Sequence, residues 1–406
     1  MAYISFDKIR KKMIYPFLMM LCSIMNSFLL SKASSILENM DLSGVKEEER
    51  KQYKTNISLF NTVFILTLMY IAETCILVLY YIQKKNTIIK RKNGMDFLPN
   101  SNKEKLKVLL IIVVLFIVDC SSSIVMIYIT GIEILSFCNM ILKGIVLLAA
   151  TILSMVILNY TYYKHHWLGL IIISIGLLIF TFNDFHLNWS KIIKVNNSIG
   201  SIIVAILLGY IWAAFQEVLE KYLIEIKYIS PFSVVGLEGL GGLIMMMIVI
   251  TFFCIIPNDL GFSFTNYSIY LGHIFTDCSA ILPYYGILFI GLFLINTFRI
   301  LTNNYYYPTY KGISDVFADF FGWIIFSWIG LTENENEFHY YIIKVISYVL
   351  MTLGVVIYLE IIQLNFLGLN KNTRKEIISR TVDNYITDTV FLLLEQDRAK
   401  NQNSKK

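Results

Sequence analysis

Hydrophobic and polar positions alternate along this chain in long blocks, without the short periods typical of a soluble amphipathic helix or strand. A helix that crosses a bilayer needs about 20 predominantly apolar residues to cover roughly 30 Å of hydrocarbon. Ten stretches approach or exceed that length: 13–33, 57–83, 107–129, 134–160, 166–184, 199–225, 232–257, 281–303, 312–331 and 339–363. The pattern therefore predicts an all-α, polytopic membrane protein with ten transmembrane helices.

The composition excludes several other classes of protein. Of the 406 residues, 56% are hydrophobic and 16% are charged, whereas a soluble domain usually carries about 25% charged residues. A soluble protein, a disordered chain and a nucleic-acid-binding protein are therefore excluded. The expected partners are the lipid bilayer and a small-molecule solute, with no nucleic acid; a homodimer is left open.

The sequence lacks the usual motifs of catalysis and metal binding. It contains no GxxxxGK[ST] phosphate loop, no CxxC pair and no motif that joins a nucleophile to a base. His165 and His166 are interpreted as a solvated pair in a loop. We therefore expect no enzymatic activity, no cofactor and no metal site. Whether Cys254 and Cys278 form a disulfide is left open.

Positively charged residues indicate the orientation. Lys and Arg cluster before the first apolar stretch, between the second and third, and after the last. Because cytosolic segments of membrane proteins are enriched in these residues, residues 1–12 and the 364–406 tail are predicted to be cytosolic. The 258–280 loop is predicted to be lumenal. Lys221 and Lys311 are assigned to short cytosolic loops.

The ten stretches divide into two sets of five, 13–184 and 199–363. Because five is odd, the second set must run in the opposite sense to the first. Each set contains a hairpin with polar residues at similar positions, Asp119 and Lys143 in the first and Asn296 and Asp319 in the second. Inverted repeats are the architecture of many secondary transporters, whose binding site lies where the repeats meet.

Charged and polar residues inside the apolar stretches predict the site, because a charge cannot face lipid cheaply. We expect a central cavity between the two halves, with Lys143 as the group that meets an anion. A structural ion pair of Lys143 with Asp119 or Asp319 is an equal alternative. Glu220 is interpreted as a solvated helix end. The residues expected in or beside the cavity are Asp119, Asn139, Lys143, Asn296, Arg299 and Asp319, with Glu217 a further charge within a span.

Glycines in the seventh stretch predict close helix packing. Gly236, Gly239, Gly241 and Gly242 cluster there, and small residues let two membrane helices approach each other. Gly236 and Gly239 are therefore expected to face a neighbouring helix.

Specific strings resemble a known family. The segment 215–222 (FQEVLEKY), followed by Pro231 and 235–242 (VGLEGLGG), resembles solute carrier family 35, F branch, within the drug/metabolite transporter superfamily. The segment 136–144 (SFCNMILKG) resembles that family's fourth-helix string, with Lys143 in place of an Arg. The resemblance implies the drug/metabolite transporter fold and adds Gln216 to the expected substrate-binding residues.

The resemblance also implies a function. It points to a secondary transporter or exchanger of the Golgi, lysosome or vacuole, whose typical cargo is a nucleotide-sugar-like organic anion. The segment 119–123 (DCSSS) resembles a second branch, the chloroquine-resistance-transporter-like exporters of peptides, amino acids or cationic drugs. A cationic cargo favours Asp119, Glu217 and Asp319 as binding groups, and an anionic cargo favours Lys143 and Arg299. A non-transporting receptor or scaffold is the alternative from another class.

Overall fold

The structure is a computed structural model, and it describes residues 14–38, 47–90, 102–130, 139–192, 199–255, 264–276, 281–329, 338–362, 364, 369 and 373. Regular secondary structure in these residues is helical, as expected for long apolar segments whose backbone groups must bond within the segment in lipid. The helices are α1 (Ile14–Glu38), α2 (Glu47–Lys90), α3 (Asn102–Thr130), α4 (Asn139–Ile157), α5 (Lys164–Ile192), α6 (Ile199–Glu225), α7 (Pro231–Ile255), α8 (Phe264–Thr276), α9 (Leu282–Tyr305), α10 (Thr309–Ile329) and α11 (Phe338–Tyr358).

Each of the ten apolar stretches overlaps a helix. Within the described residues, six helical segments are long and apolar enough to cross a membrane: Ile14–Ala33, Phe60–Lys85, Lys164–Asn183, Pro231–Phe252, Leu282–Tyr305 and Tyr341–Tyr358. The all-helical, multi-pass character is therefore confirmed, and the count of ten spans stays a prediction.

The loop predicted at 258–280 is in part a helix, α8. Tyr267, Tyr270 and Ile274 are buried on one face of it, at the spacing of three to four residues that an amphipathic helix requires. Apolar length alone does not predict this helix, because its 13 residues are too few to span a bilayer. Cys278 and the side chain of Cys254 lie outside the described residues.

The chain forms two compact units, one of residues 1–160 and 181–338 and one of residues 161–180 and 339–406. In the first unit, α2 packs along α7 and α1 packs along α9. In the same unit α3 packs on α6, α4 on α6, and α10 on both α1 and α4. Every one of these pairs joins a helix of the predicted first half to a helix of the second.

Glycines on α7 allow this helix to pack closely against α2. A Cβ on Gly239 would lie 2.7 Å from the backbone nitrogen of Thr74 on α2, and a Cβ on Gly236 would collide with Leu77. The expectation that these glycines face a neighbouring helix is confirmed. Since positions rise along α2 as their partners fall along α7, the two helices are antiparallel.

The second unit is held by a similar contact. A Cβ on Gly169 of α5 would lie 2.7 Å from the carbonyl oxygen of Gly354 on α11. Phe180 packs against Tyr348, with ring centroids 5.4 Å apart. This part of α5 and α11 therefore form a close antiparallel pair.

Candidate functional site

Arg299 on α9 is the centre of a buried charge cluster in the first unit. Its Nη2 lies 3.2 Å from Glu220 Oε1 and 3.7 Å from an oxygen of both Glu73 and Glu238. The three glutamates come from α2, α6 and α7, and each is at most 1% exposed. The guanidinium of Arg299 therefore links α9 to three other helices. Its positive charge is shared by three glutamates rather than paired with one.

Amide side chains extend this cluster. Gln216 Nε2 donates to Asp119 Oδ1 at 2.9 Å and to Glu238 Oε1 at 2.5 Å. Asn303 Nδ2 lies 3.0 Å from both Glu220 Oε2 and the Glu217 carbonyl oxygen. The amides therefore link Asp119 on α3 to a network that also joins α2, α6, α7 and α9.

The α9–α10 junction supplies a second cation. Helix α9 ends at Tyr305, and the Tyr306 N–H bonds back to the Thr302 carbonyl at 2.9 Å. Pro308 has no backbone N–H, so it cannot donate a helical hydrogen bond back to α9. The next helix, α10, begins at the residue that follows it, Thr309. Lys311, in the first turn of α10, places its Nζ 2.8 Å from Glu217 Oε1.

Lys221, on α6, binds the C-terminal end of α9. Its Nζ donates to the carbonyl oxygens of Asn303 and Asn304, at 2.8 and 3.1 Å. These carbonyls belong to the last turn of the helix, where cations are favoured by the helix dipole and by unpaired acceptors. The contact holds the turn that carries Asn303 against α6.

A cavity of about 320 Å³ lies beside the cluster, between α1, α2, α9 and α10. Most of its wall is apolar, including Met19, Ile65 and Leu292. Its polar residues are Ser23, Asn26, Ser27, Asn296, Arg299, Lys311 and Asp315. The volume falls at the low end of the roughly 300–1,000 Å³ of small-molecule pockets.

The structure brings together several of the residues predicted from the sequence. Asp119, Gln216, Glu217 and Arg299 belong to the charge network, and Asn296 and Arg299 line the cavity. Asp319 lies on α10, half-buried, and is not among the residues that line the described cavity. Asn139 and Lys143 fall in the first two turns of α4, and their side chains lie outside the described part of the chain, as does the proposed Lys143 ion pair.

Three assignments from the sequence are wrong. Glu220 is fully buried rather than solvated, because Arg299 and Asn303 supply it with partners. Lys221 is 5% exposed, and Lys311 lies within a helix against Glu217 rather than in a cytosolic loop. Both lysines were placed by counting charges in loops, which cannot detect a lysine that folds back onto a helix end.

Glu73 and Glu238 are members of the cluster that the sequence analysis does not predict. The position of Glu238 directly before Gly239 could have indicated it. Gly239 marks the point where α7 crosses α2, and Glu73 lies at the same point. A carboxylate at the point where two membrane helices approach most closely must face another protein group.

The second unit holds a separate polar group. His165 and His166 are 4% and 8% exposed, so the expectation of a solvated loop pair is wrong. His165 Nε2 lies 3.0 Å from Glu360 Oε1, and His166 Nδ1 accepts the Tyr163 N–H at 3.2 Å. One ligand atom from each of the two histidines and Glu360 lies within 4.8 Å of the others. These three could together approach a metal ion, although the Tyr163 N–H occupies the lone pair of His166 Nδ1.

The helices and the buried charges define the class of this chain as a polytopic helical membrane protein. No protein-family model matches the sequence. The chain is 22% identical over 224 residues to an uncharacterised protein of Schizosaccharomyces pombe. The match covers 54% of this chain and 65% of that protein, so the chain spans slightly less than two thirds of its relative's length.

Proposed function

We propose that this chain is a secondary transporter or exchanger that moves a small organic solute across an endomembrane by alternating access. The observation that carries the proposal is the buried charge network at the junction of helices from both halves, beside a cavity of about 320 Å³. Charges at membrane depth are costly and mark substrate and ion pathways. A receptor or scaffold has no need of them.

The packing of the first unit supports the proposed inverted repeat. If α1–α4 correspond in order to α6, α7, α9 and α10, each of the most extensive helix contacts has a counterpart. The pair α1–α9 corresponds to α6–α3, α4–α6 to α10–α1, and α3–α7 to α9–α2. The pairs α2–α7 and α4–α10 correspond to themselves, and α2 and α7 are antiparallel, as inversion requires. Membership of solute carrier family 35, F branch, and an endomembrane location with cytosolic termini complete this proposal.

The balance of charges favours the cationic alternative over a nucleotide-sugar-like anion. Among the described side chains, the network joins five carboxylates (Glu73, Asp119, Glu217, Glu220, Glu238) to three cations, Arg299, Lys311 and Lys221. Each of the three cations is already engaged by a carboxylate. A vacuolar exporter of peptides, amino acids or cationic drugs is therefore the second candidate function.

The test is uptake into liposomes that contain the purified protein, with a panel of labelled nucleotide sugars, amino acids and cationic drugs. We expect saturable, protein-dependent uptake of one class of solute, and empty liposomes provide the baseline. Folded protein that moves none of these solutes would instead favour the receptor or scaffold.

A further inference from the structure

The carboxylates around Arg299 outnumber the positive charge that can neutralise them. Glu220 is the best paired of them, because Arg299 Nη2 lies 3.2 Å from its Oε1 and Asn303 Nδ2 donates to its Oε2 at 3.0 Å. Glu73 and Glu238 each have an oxygen 3.7 Å from the same Nη2. One guanidinium therefore faces three carboxylates, and Glu220 has the closest contact with it.

The two lysines of the network are engaged elsewhere. Lys311 Nζ lies 2.8 Å from Glu217 Oε1. Lys221 Nζ donates to two carbonyl oxygens at the end of α9 and lies 3.5 Å from Glu225. Neither lysine therefore supplies a positive charge to Glu73 or Glu238.

Asp119 adds a fourth carboxylate to the group around Arg299. Gln216 Nε2 donates to both Asp119 Oδ1 and Glu238 Oε1, so one amide serves two acids. The second oxygens of Glu73, Asp119 and Glu238 have no hydrogen-bond partner among the described groups. These three side chains are at most 5% exposed, so bulk water does not compensate for the missing partners.

The other helices that pack on α7 do not change this balance. Those helices are α2, α3, α6 and α9. The titratable and charged side chains that they bring to this part of α7 are Glu73 and Tyr70 from α2, Asp119 and Cys120 from α3, Glu220 from α6 and Arg299 from α9. Among these side chains, Arg299 alone is a cation.

This arrangement favours a bound proton. A buried acid without a partner of opposite charge takes up a proton rather than staying ionised, and two carboxylates that share one site do not both ionise. Glu73 and Glu238 share such a site, because both lie 3.7 Å from the same nitrogen of Arg299.

The position of this pair allows the proton to be exchanged. Gly239, next to Glu238, meets Glu73 where α2 crosses α7, and the proposed repeat relates these two helices to each other. A motion of one half against the other therefore changes the surroundings of both acids. Arg299, which contacts both acids, also lines the cavity and connects the pair to a solute there. A proton passes between neighbouring oxygens and does not need the space that a solute needs.

We infer that Glu73 and Glu238 hold one exchangeable proton, and that H+ is the coupling ion of the proposed transporter. The pair takes up the proton from one side of the membrane and releases it to the other as the two halves move. This inference rests on the proposed transporter function and names the ion that drives it. With one proton bound, the carboxylates of the network still outnumber its cations, which agrees with the cationic candidate.

Coupling is tested in liposomes that contain the protein and a trapped pH-sensitive dye. The solute is the member of the panel that the wild type takes up. We expect an imposed pH gradient to drive accumulation of this solute, and a protonophore to abolish the accumulation. Without an imposed gradient, uptake of the solute should itself change the internal pH.

The variants Glu238→Gln and Glu73→Gln test which groups carry the proton. Each replaces an acid with an uncharged side chain of nearly the same shape, which cannot release a proton. Whatever uptake remains should no longer respond to the pH gradient. Glu225→Gln, at a carboxylate that is 49% exposed and outside the cluster, is the matched control and should respond as the wild type does.

Infrared spectroscopy tests the bound proton without any solute. The purified protein is measured at neutral pH in a detergent that contains no carbonyl group. We expect the wild type and Glu225→Gln to show the C=O stretch of a protonated carboxyl, with a shift in heavy water. This band should be weaker or absent in Glu238→Gln and Glu73→Gln. If one of these two variants does not fold, the other decides.

Two results would overturn the inference and leave the transporter function intact. The first is saturable uptake that neither follows the pH gradient nor moves protons. The second is a wild-type spectrum without the carboxyl band, or a band that is unchanged in the folded variants of Glu73 and Glu238. Absence of all uptake by the folded protein would reject both the transporter function and the coupling.

Discussion

Helices α2 and α9 meet at two buried polar positions that differ in how their polar atoms are paired. At the first, Asn61 Oδ1 accepts hydrogen bonds from Tyr285 at 2.6 Å and from Tyr270 at 3.3 Å. At the second, further along both helices, Glu73 lies 3.7 Å from Arg299. We call these the tyrosine anchor and the charge cluster.

The surroundings of the two positions also differ. The tyrosine anchor sits in an aromatic core, where the Phe60 and Tyr270 ring centroids are 5.7 Å apart and those of Phe64 and Tyr285 are 5.0 Å apart. In the charge cluster, an oxygen of Glu73, Asp119 and Glu238 lacks a hydrogen-bond donor among the described groups. The acceptor of the tyrosine anchor is paired within a close-packed aromatic core, whereas carboxylates of the charge cluster keep an oxygen without a donor among the described groups.

The largest expected effect comes from Arg299→Ala. It leaves Glu73, Glu220 and Glu238 together without their shared cation, and breaking a buried ion pair costs about 3–5 kcal/mol. We expect little folded protein, measured as the monodisperse yield from size-exclusion chromatography. Arg299→Lys retains the charge and should recover part of that yield. A normal yield for Arg299→Ala would show that the cluster does not hold the helices together.

A smaller loss of stability is expected from Gly239→Ala. The added Cβ would lie 2.7 Å from the Thr74 nitrogen, and overpacking costs about 1–3 kcal/mol. The thermal unfolding midpoint should therefore fall. Gly286→Ala on α9 is the matched control, because a Cβ there meets nothing within 4 Å of the described atoms. Equal midpoints for the two variants would contradict the close approach of α2 and α7.

The two asparagines give the sharpest comparison. Asn61→Ala removes the acceptor of two tyrosine hydroxyls and should destabilise the protein by about 1–3 kcal/mol, with solute uptake retained in the folded fraction. Asn296→Ala removes an amide whose Nδ2 is unpaired among the described groups, so stability should change by less than about 1 kcal/mol while uptake falls. Unfolding midpoints and liposome uptake, measured on both variants, check the pair. A stable Asn61→Ala without uptake, together with a destabilised Asn296→Ala that retains uptake, would contradict this comparison.

The smallest effect is expected from Glu225→Gln. Glu225 lies 3.5 Å from Lys221, its side chain is 49% exposed, and it accepts a hydrogen bond from Tyr160 that the amide oxygen of a glutamine can also accept. Exposed ion pairs contribute about 0–1 kcal/mol, so the unfolding midpoint and uptake should match the wild type. A loss comparable to that of Asn61→Ala would show that this pair belongs to the buried network.

The sequence predicts where the helices of this fold lie along the chain, but it does not predict which helices pack against each other. Apolar length alone places a helix at each of the ten stretches, because lipid leaves the backbone no other solution. It does not reveal α8, whose burial depends on tertiary contacts of Tyr267 and Tyr270 rather than on length.

For the site, sequence reasoning identifies which residues are costly in lipid, and therefore Arg299, Asp119 and Glu217. It cannot say which charges neutralise which, since Glu220 and Lys311 reach their partners only after α6, α9 and α10 pack. The pairing of Arg299 with three glutamates from three helices is a property of the assembled bundle. The anionic preference expected from Lys143 stays a prediction, because the side chain of Lys143 lies outside the described residues.

The most direct test of the proposed function is trans-stimulation of uptake. Liposomes that contain the protein are loaded with an unlabelled solute from the panel, and initial uptake of the same labelled solute is compared with that of unloaded liposomes. We expect faster initial uptake after loading for the wild type, because a carrier returns more readily with solute bound, and no such acceleration for folded Asn296→Ala. Equal initial rates with and without loading in the wild type would contradict alternating access through this cavity.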